Sequence, residues 1–450
     1  MNTSDKTSRQ MTTLAKLNFF LLGLATLIGW NAVLSSIDFF SSKFTDYNIS
    51  FIMLIPSFLA TFIFSLFASY FSKIFSLNTR IFGCIIMMSI CLFILPFEAY
   101  FLPNKTGFFI FVALNFVISA FIAIMQATCV GLACIFPYEA MSLFNTGIGF
   151  SGILMSVLRI IYLWIYDQSD PTHMMYSIVI YFSSAVFFLV LALIIHLSFI
   201  KSDYFRVLSM VLNRLSFAIK GEEIKMNKHG SINEKYEELR KDEENDYISN
   251  PEPLLKDYKN EKSNKNSTSS QNSTSRPNFF VVLIISFKAA WPYSPLIALL
   301  YLQTFALFPG VTLMKQIYGL NETWNPVLLV LIYNMFDTIG KYIGVSRVFF
   351  TQRKICSMVL ARCLFFLTFL LNVQNAYYVS FVTSVWFFLV NLAFFALTNG
   401  YLTTAIFILG SESYSKAQQK EKVGFLMSFM FNIGCIGGSL LALSFTNLNS

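Results

Sequence analysis

Apolar stretches long enough to cross a lipid bilayer fill most of this chain. A helix rises 1.5 Å per residue, so about 20 apolar residues span a hydrocarbon layer of about 30 Å. Such runs occupy roughly 17–40, 49–71, 81–102, 108–135, 145–166 and 176–200, then 291–314, 324–344, 355–373, 377–408 and 423–446. That makes eleven spans, six before a long polar stretch and five after it. The segment 279–290 (FFVVLIISFKAA) is also apolar. Pro292 and Pro295 separate it from the seventh span, and it reads as an interfacial lead-in. Charged residues make up only 12% of the 450, about half the usual share, while 56% are hydrophobic and the mean hydropathy is +0.61. One soluble core cannot hide that much apolar surface, which excludes most soluble enzymes, secreted disulfide scaffolds and disordered regulators. The expected fold is an all-α polytopic membrane protein. Its 51 phenylalanines predict a bundle packed largely with aromatic rings.

The net charge of +8 does not gather on one amphipathic face, so no nucleic-acid partner is expected. The cations lie between the apolar runs. With the N-terminus inside, the inner segments carry Lys6, Arg9 and Lys16; Lys73 and Arg80; Lys341, Arg347, Arg353 and Lys354; and Lys416, Lys420 and Lys422. The outer segments carry only Lys43, Lys105 and Lys315. This asymmetry follows the positive-inside rule, and an odd number of spans places the C-terminus outside. Counting 279–290 as a twelfth span would reverse every later loop. The first 16 residues show no signal-peptide pattern and read as a cytoplasmic tail. Residues 17–200 then form a six-helix bundle, 201–278 a cytoplasmic loop and 279–450 a five-helix bundle. The loop holds 14 basic and 13 acidic residues and ends in a low-complexity Asn/Ser/Thr/Lys tract, a composition that predicts disorder. Its first part, 204–219, has the pattern of an amphipathic helix for the inner leaflet. The 6+5 division predicts two bundles around a central cavity, a major-facilitator-like arrangement.

No enzyme constellation is present. His173, His196 and His229 lack metal-ligand spacing, and there is no phosphate-loop lysine motif. Gly147, Gly149 and Gly152 spell GxGxxG, but inside an apolar run, where small residues serve helix packing. All seven cysteines lie in or beside apolar runs and read as packing residues. The informative groups are polar ones within the spans, each expensive there without a partner or ligand. Asp337 and Lys341 are four apart in the eighth span and share a helix face, with Asn334 one turn earlier. They either offer a carboxylate, an ammonium and an amide to a hydroxyl-rich solute or form an ion pair that pins the bundle. The Gln126 amide both donates and accepts, which suits the edge of a purine or pyrimidine as well as an interhelical hydrogen bond. Trp30 and Asn31 sit deep in the first span, where an indole can stack on a flat ring or simply pack. Phe308-Pro309 and Asn399-Gly400 mark expected helix irregularities beside a cavity.

Taken together, these segments resemble the equilibrative nucleoside transporter family. LLGLATLIGWNAVLSSIDFF is similar to its Gly-rich first span ending in Trp-Asn. AIMQATCVGLACIFPYEAMSLFNTGIGFSG is similar to its Gln-containing fourth span and Gly-rich fifth. FALFPGV, YNMFDTIGK, FFALTNGYLTT and FNIGCIGGSLLA resemble its seventh, eighth, tenth and last spans, with Lys341 in a position where the family has Arg. The resemblance implies facilitated diffusion of nucleosides, and in some members nucleobases, through one central site by alternating access, with no cofactor. Carried over residue by residue, Gln126 binds the base and Asp337 and Lys341 face the ribose. Trp30 and Leu34 line the site, Asn334 supports it, and Phe308, Pro309 and Asn399 form a gate or wall. Lysine is a point charge where arginine offers a planar fork, so sugar recognition is expected to differ from the family norm.

The expected partners are a nucleoside or nucleobase and the bilayer, with the chain monomeric in the plasma membrane. Proton-coupled symport through Asp337 on the same fold is the alternative. A receptor or scaffold acting through the polar loop is the alternative of another class. Asn104 and Asn321 are glycosylation sequons in expected outer loops; Asn266 and Asn272 are sequons on the inner side.

Overall fold

A computed structural model of the chain describes residues 11–47, 49–166, 170–203, 205, 291–320, 324–344, 351–373, 384–412 and 417–445. The expectations for 204–219, the low-complexity tract, 279–290, Asn266, Asn272 and Asn321 lie outside the described residues. Asn104 is exposed as the first residue of a helix.

All regular structure among the described residues is helical. The long helices are α1 (Thr13–Ser35), α2 (Leu54–Ile74), α3 (Leu77–Phe101), α4 (Asn104–Ile135), α5 (Tyr138–Ile165) and α6 (Pro171–Lys201), followed by α7 (Tyr293–Leu307), α8 (Trp324–Ile343), α9 (Gln352–Val373), α10 (Val385–Glu412) and α11 (Ala417–Leu443). Among the described residues ten helices are long and apolar enough to cross a membrane; in α2 the apolar segment, Leu54–Ser65, is shorter. Starts follow local chemistry. Thr12, Ser76 and Asp170 cap α1, α3 and α6 by accepting from backbone N–H groups one turn in, and α4 and α5 open after Pro103 and Pro137.

Three breaks carry information. The first span does not run unbroken to residue 40. The Ser36 hydroxyl donates to the Ala32 carbonyl at 2.8 Å, competing with the helix ladder, and a separate short helix, Ile37–Lys43, follows. α7 stops at Leu307; the Phe308–Pro309 peptide is cis and Pro309 begins a single turn, Gly310–Leu313. α9 is two ten-residue halves, Gln352–Ala361 and Leu364–Val373, joined at Arg362 and Cys363. The irregularity expected at Asn399-Gly400 is absent: α10 runs through it without interruption. The glycine serves packing, because a Cβ on Gly400 would lie in the Asp337 carbonyl of α8.

The helix pairings repeat with a shift of six. α1 packs on α5 as α7 packs on α11; α2 packs on α4 as α8 packs on α10; α4 meets α11 as α10 meets α5. The remaining strong contacts between the two series are α2 with α11 and α5 with α8. Glycines permit the closest approaches. Gly147 abuts the Phe20 carbonyl across the α1–α5 contact, and Gly434 and Gly438 abut Ala298 and Leu302 across α7–α11. The GxGxxG glycines therefore serve helix packing: Gly149 and Gly152 face Thr338 and Asn334 of α8. Large apolar side chains such as Phe67, Phe109, Phe187, Trp386 and Phe394 point outward and are more than half exposed. Asn31, Gln126, Asp337, Lys341, Arg362 and Asn399 are buried. This apolar-outside, polar-inside distribution suits a lipid surround.

Candidate functional site

Eight helices, α1, α2, α4, α5, α7, α8, α10 and α11, enclose a cavity of about 1020 Å³ including its mouth; α3, α6 and α9 supply no lining residue. Trp30, Leu34, Gln126, Phe308, Asn334, Asp337, Lys341 and Asn399 all line it, although they come from four helices and the break that ends α7; Pro309 does not.

One wall is charged. Lys341 Nζ lies 2.6 Å from Asp337 Oδ2, one turn apart on α8, as their spacing requires. The Asn399 amide of α10 donates to Asp337 Oδ1 at 2.8 Å. Both ions are more than nine-tenths buried. Two donors on the carboxylate offset its desolvation, while the ammonium keeps donors to spare. Asn334 faces the cavity from the same helix and its amide donates to Ser156 of α5 at 3.1 Å. Ser156 contacts Ser35 of α1 at 3.0 Å, and the Asn31 amide donates to Ser151 at 2.7 Å. A line of polar contacts thus ties α1, α5 and α8 beside the cavity.

Opposite in character are the aromatic rings. Trp30 packs against Phe58 at 5.2 Å between ring centres and edge-on to Phe305 at 6.4 Å, while Phe58 and Phe305 meet at 4.5 Å. Phe308 stacks on Tyr333 at 3.8 Å with nearly parallel planes. Among the described residues nothing engages the Gln126 amide, although it lines the cavity and is buried. Leaving such an amide unpaired is costly unless solvent or a solute meets it.

Several residues of the cavity and of the buried charged groups carry little local signal in the sequence. Phe58, Tyr301 and Phe305 carry no mark that separates them from the other aromatic residues of the chain. Arg362, Glu98 and the pair Asp38–Arg159 were detectable as ionisable residues within expected spans. The Arg159 guanidinium grips the Asp38 carboxylate with two nitrogens and also donates to Ser177 at 3.3 Å, with both charged groups buried. Glu98 is buried near the end of α3 with neither carboxylate oxygen hydrogen-bonded among the described residues. His196 contacts Asn18 at 3.0 Å, and no three metal-ligating side chains cluster among the described residues. The cysteines are free thiols, five of them buried.

The chain is 25% identical over 468 residues to equilibrative nucleoside transporter 1 of Rattus norvegicus, spanning 94% of this chain and 95% of that protein. It is 23% identical to the Homo sapiens protein of the same name, with 95% of each covered. It is also 23% identical to equilibrative nucleotide transporter 1 of Arabidopsis thaliana, covering 94% of this chain and 84% of that one. Among solved structures, the proton:xylose symporter XylE of the major facilitator superfamily superposes with a TM-score of 0.61 at 12% identity, over 97% of this chain and 88% of that one. A bacterial homologue of the iron transporter ferroportin gives 0.56 at 11% identity, over 96% and 92%. The fold is therefore that of the major facilitator transporters, and the six-helix shift in its packing fits that architecture. The nucleoside transporter family model matches residues 112–447, from the middle of α4 to beyond the end of α11. With a charged wall, an aromatic wall and an open amide inside a transporter fold, and with that match covering most of its length, the chain belongs to the nucleoside transporter family.

Proposed function

We propose that the chain carries nucleosides down their gradient across the plasma membrane by alternating access, acting as a monomer, with nucleobases as weaker substrates. The observation that carries this reading is the pairing of chemistries in one cavity. Gln126 offers a free amide to the edge of a base, Trp30 and its aromatic neighbours suit a flat ring, and Asp337 with Lys341 suits ribose hydroxyls. A bare base would engage only part of this set. Eleven spans in a 6+5 division, the N-terminus inside and the C-terminus outside, agree with the charge pattern. On this reading residues 17–200 and 279–450 are the two bundles, joined by 201–278 and preceded by the tail 1–16. The repeated pairings support rocking of the bundles about the α2–α11 and α5–α8 contacts.

Purified protein in proteoliposomes is expected to take up radiolabelled adenosine saturably and faster when unlabelled nucleoside is trapped inside. Failure of every nucleoside and nucleobase to enter would overturn the proposal. Proton symport requires Asp337 to gain and lose a proton. Uniport needs no such step, so an imposed pH gradient is expected to leave the rate unchanged. Acceleration by the gradient, abolished in Asp337→Asn, would favour symport instead.

Gln126→Ala provides a finer test. No described residue hydrogen-bonds to this amide, so its removal is expected to leave the thermal midpoint in detergent unchanged. Losing one or two hydrogen bonds to a base should weaken adenosine about tenfold, read as KM in the same vesicles. An unchanged KM would remove Gln126 from the site.

A further inference from the structure

Arg362 lines no part of the cavity, yet a chain of hydrogen bonds leads from it to the charged wall. It sits at the break in α9, almost wholly buried. Nη1 donates to the Phe395 carbonyl at 2.7 Å and to the Thr398 hydroxyl, and the guanidinium lies over the Phe395 ring at 4.5 Å. Nη2 donates to Thr304 Oγ1 at 3.1 Å. Thr304 Oγ1 is 2.8 Å from Asn399 Oδ1, and Asn399 Nδ2 is 2.8 Å from Asp337 Oδ1. Four helices, α9, α7, α10 and α8, each contribute one member.

We propose that Arg362 is a positioning residue, which sets the direction of this chain and thereby turns the Asn399 amide so that its NH2 group holds the Asp337 carboxylate. A guanidinium has donors and no acceptor, so Thr304 must accept from it. Thr304 then has one proton to give, with the Leu300 carbonyl at 2.9 Å and Asn399 Oδ1 both in reach. The amide dipole of Asn399 lies between a cation and an anion. Its carbonyl end faces the Arg362 side and its NH2 end faces Asp337, the orientation that field favours. Without the cation, Thr304 can give its proton to Leu300 and accept from a reversed Asn399 amide. That reversal points a carbonyl oxygen at the carboxylate and weakens the hold on it. Arg362 thus acts on the solute through two intermediates, not by touching it. The proposal rests on the reading that Asp337 meets the ribose hydroxyls.

The test compares adenosine with 2′,3′-dideoxyadenosine, which has the same base and 5′-hydroxyl and lacks the 2′- and 3′-hydroxyls, as competitors of labelled adenosine uptake into proteoliposomes. Wild type is expected to prefer adenosine. In Arg362→Met the adenosine inhibition constant should rise about tenfold while that of the dideoxy compound stays within twofold, so the preference collapses. Arg362→Lys, which restores the charge without the fork, should recover part of the preference. Thr304→Val, which keeps the cation and cuts the chain, should lose part of it; these two variants carry the test if Arg362→Met fails to fold. A merely structural role would lower the maximal rate of all three variants and leave the preference intact, which would overturn the proposal. Asp337→Asn separates the two levels. If it abolishes the preference and the Arg362 and Thr304 variants do not, the positioning role alone is wrong. If it leaves the preference unchanged, the ribose reading fails and takes this proposal with it.

Discussion

Asp337→Ala is expected to reduce adenosine uptake to background. The substitution removes the acceptor at the charged wall and strands Lys341, which is buried and has no other hydrogen-bond partner among the described residues. Breaking a buried pair by removing one partner costs about 3–5 kcal/mol, about two to three and a half orders of magnitude in an equilibrium constant. The single variant therefore cannot tell a binding group from a pin that holds α8. The double variant Asp337→Ala/Lys341→Met can. Removing both charges relieves the stranded ammonium, and the thermal midpoint in detergent should return most of the way to wild type. On the proposed function uptake should stay at background, because the cavity has lost both groups of its charged wall. Recovery of uptake along with stability would mean that the pair only braces the bundle.

How far sequence reaches into this site depends on how its residues are related. Asp337 and Lys341 were legible because helical periodicity alone puts residues four apart on one face, and the contact is 2.6 Å. Gln126 and Asn399 were legible because an amide in an apolar run is conspicuous. The aromatic wall was not. With 51 phenylalanines and 21 tyrosines, nothing local separates Phe58 and Phe305, which face the cavity, from Phe187, which faces outward. Only the pairing of helices decides that. Breaks show the same divide. Pro309 announces the end of α7, since proline cannot continue the hydrogen-bond ladder. The break in α9 falls at Arg362-Cys363, where no proline or glycine signals it, beside a guanidinium whose partners lie on α7 and α10. Gly400 misled for a related reason. Glycine marks both flexible backbone and close approach, and here the neighbouring α8 backbone, invisible in the local sequence, determines which of the two applies.

Asp38 and Arg159 were each visible as a charge within a span, but nothing local joins residues 121 positions apart. Their pairing carries the second large effect expected here. Arg159 of α5 projects toward the short helix that follows α1, and its guanidinium engages the Asp38 carboxylate through Nε and Nη2 while Nη1 reaches Ser177 of α6. Two nitrogens on two oxygens give the geometry in which a buried pair holds best. Arg159 lies one helical turn beyond Ser156, which contacts both Ser35 and Asn334, so the pair anchors the same α1–α5 contact that borders the cavity. Asp38→Ala should leave Arg159 uncompensated at a cost of about 3–5 kcal/mol, with a large drop in thermal midpoint and in folded yield. Asp38→Ala/Arg159→Met should be more stable than Asp38→Ala alone, since a buried ion pair is often replaced by apolar side chains at little net cost. Fluorescence-detected size-exclusion chromatography after a heating series reads both variants. A double variant no more stable than the single would show that Arg159 stabilises the fold through Ser177 and its packing, not through Asp38. Its adenosine KM then becomes informative. Near the wild-type value it means that the pair only holds α1 and α5 together; a raised value means that their spacing, transmitted through Ser35, Ser156 and Asn334, sets the width of the cavity.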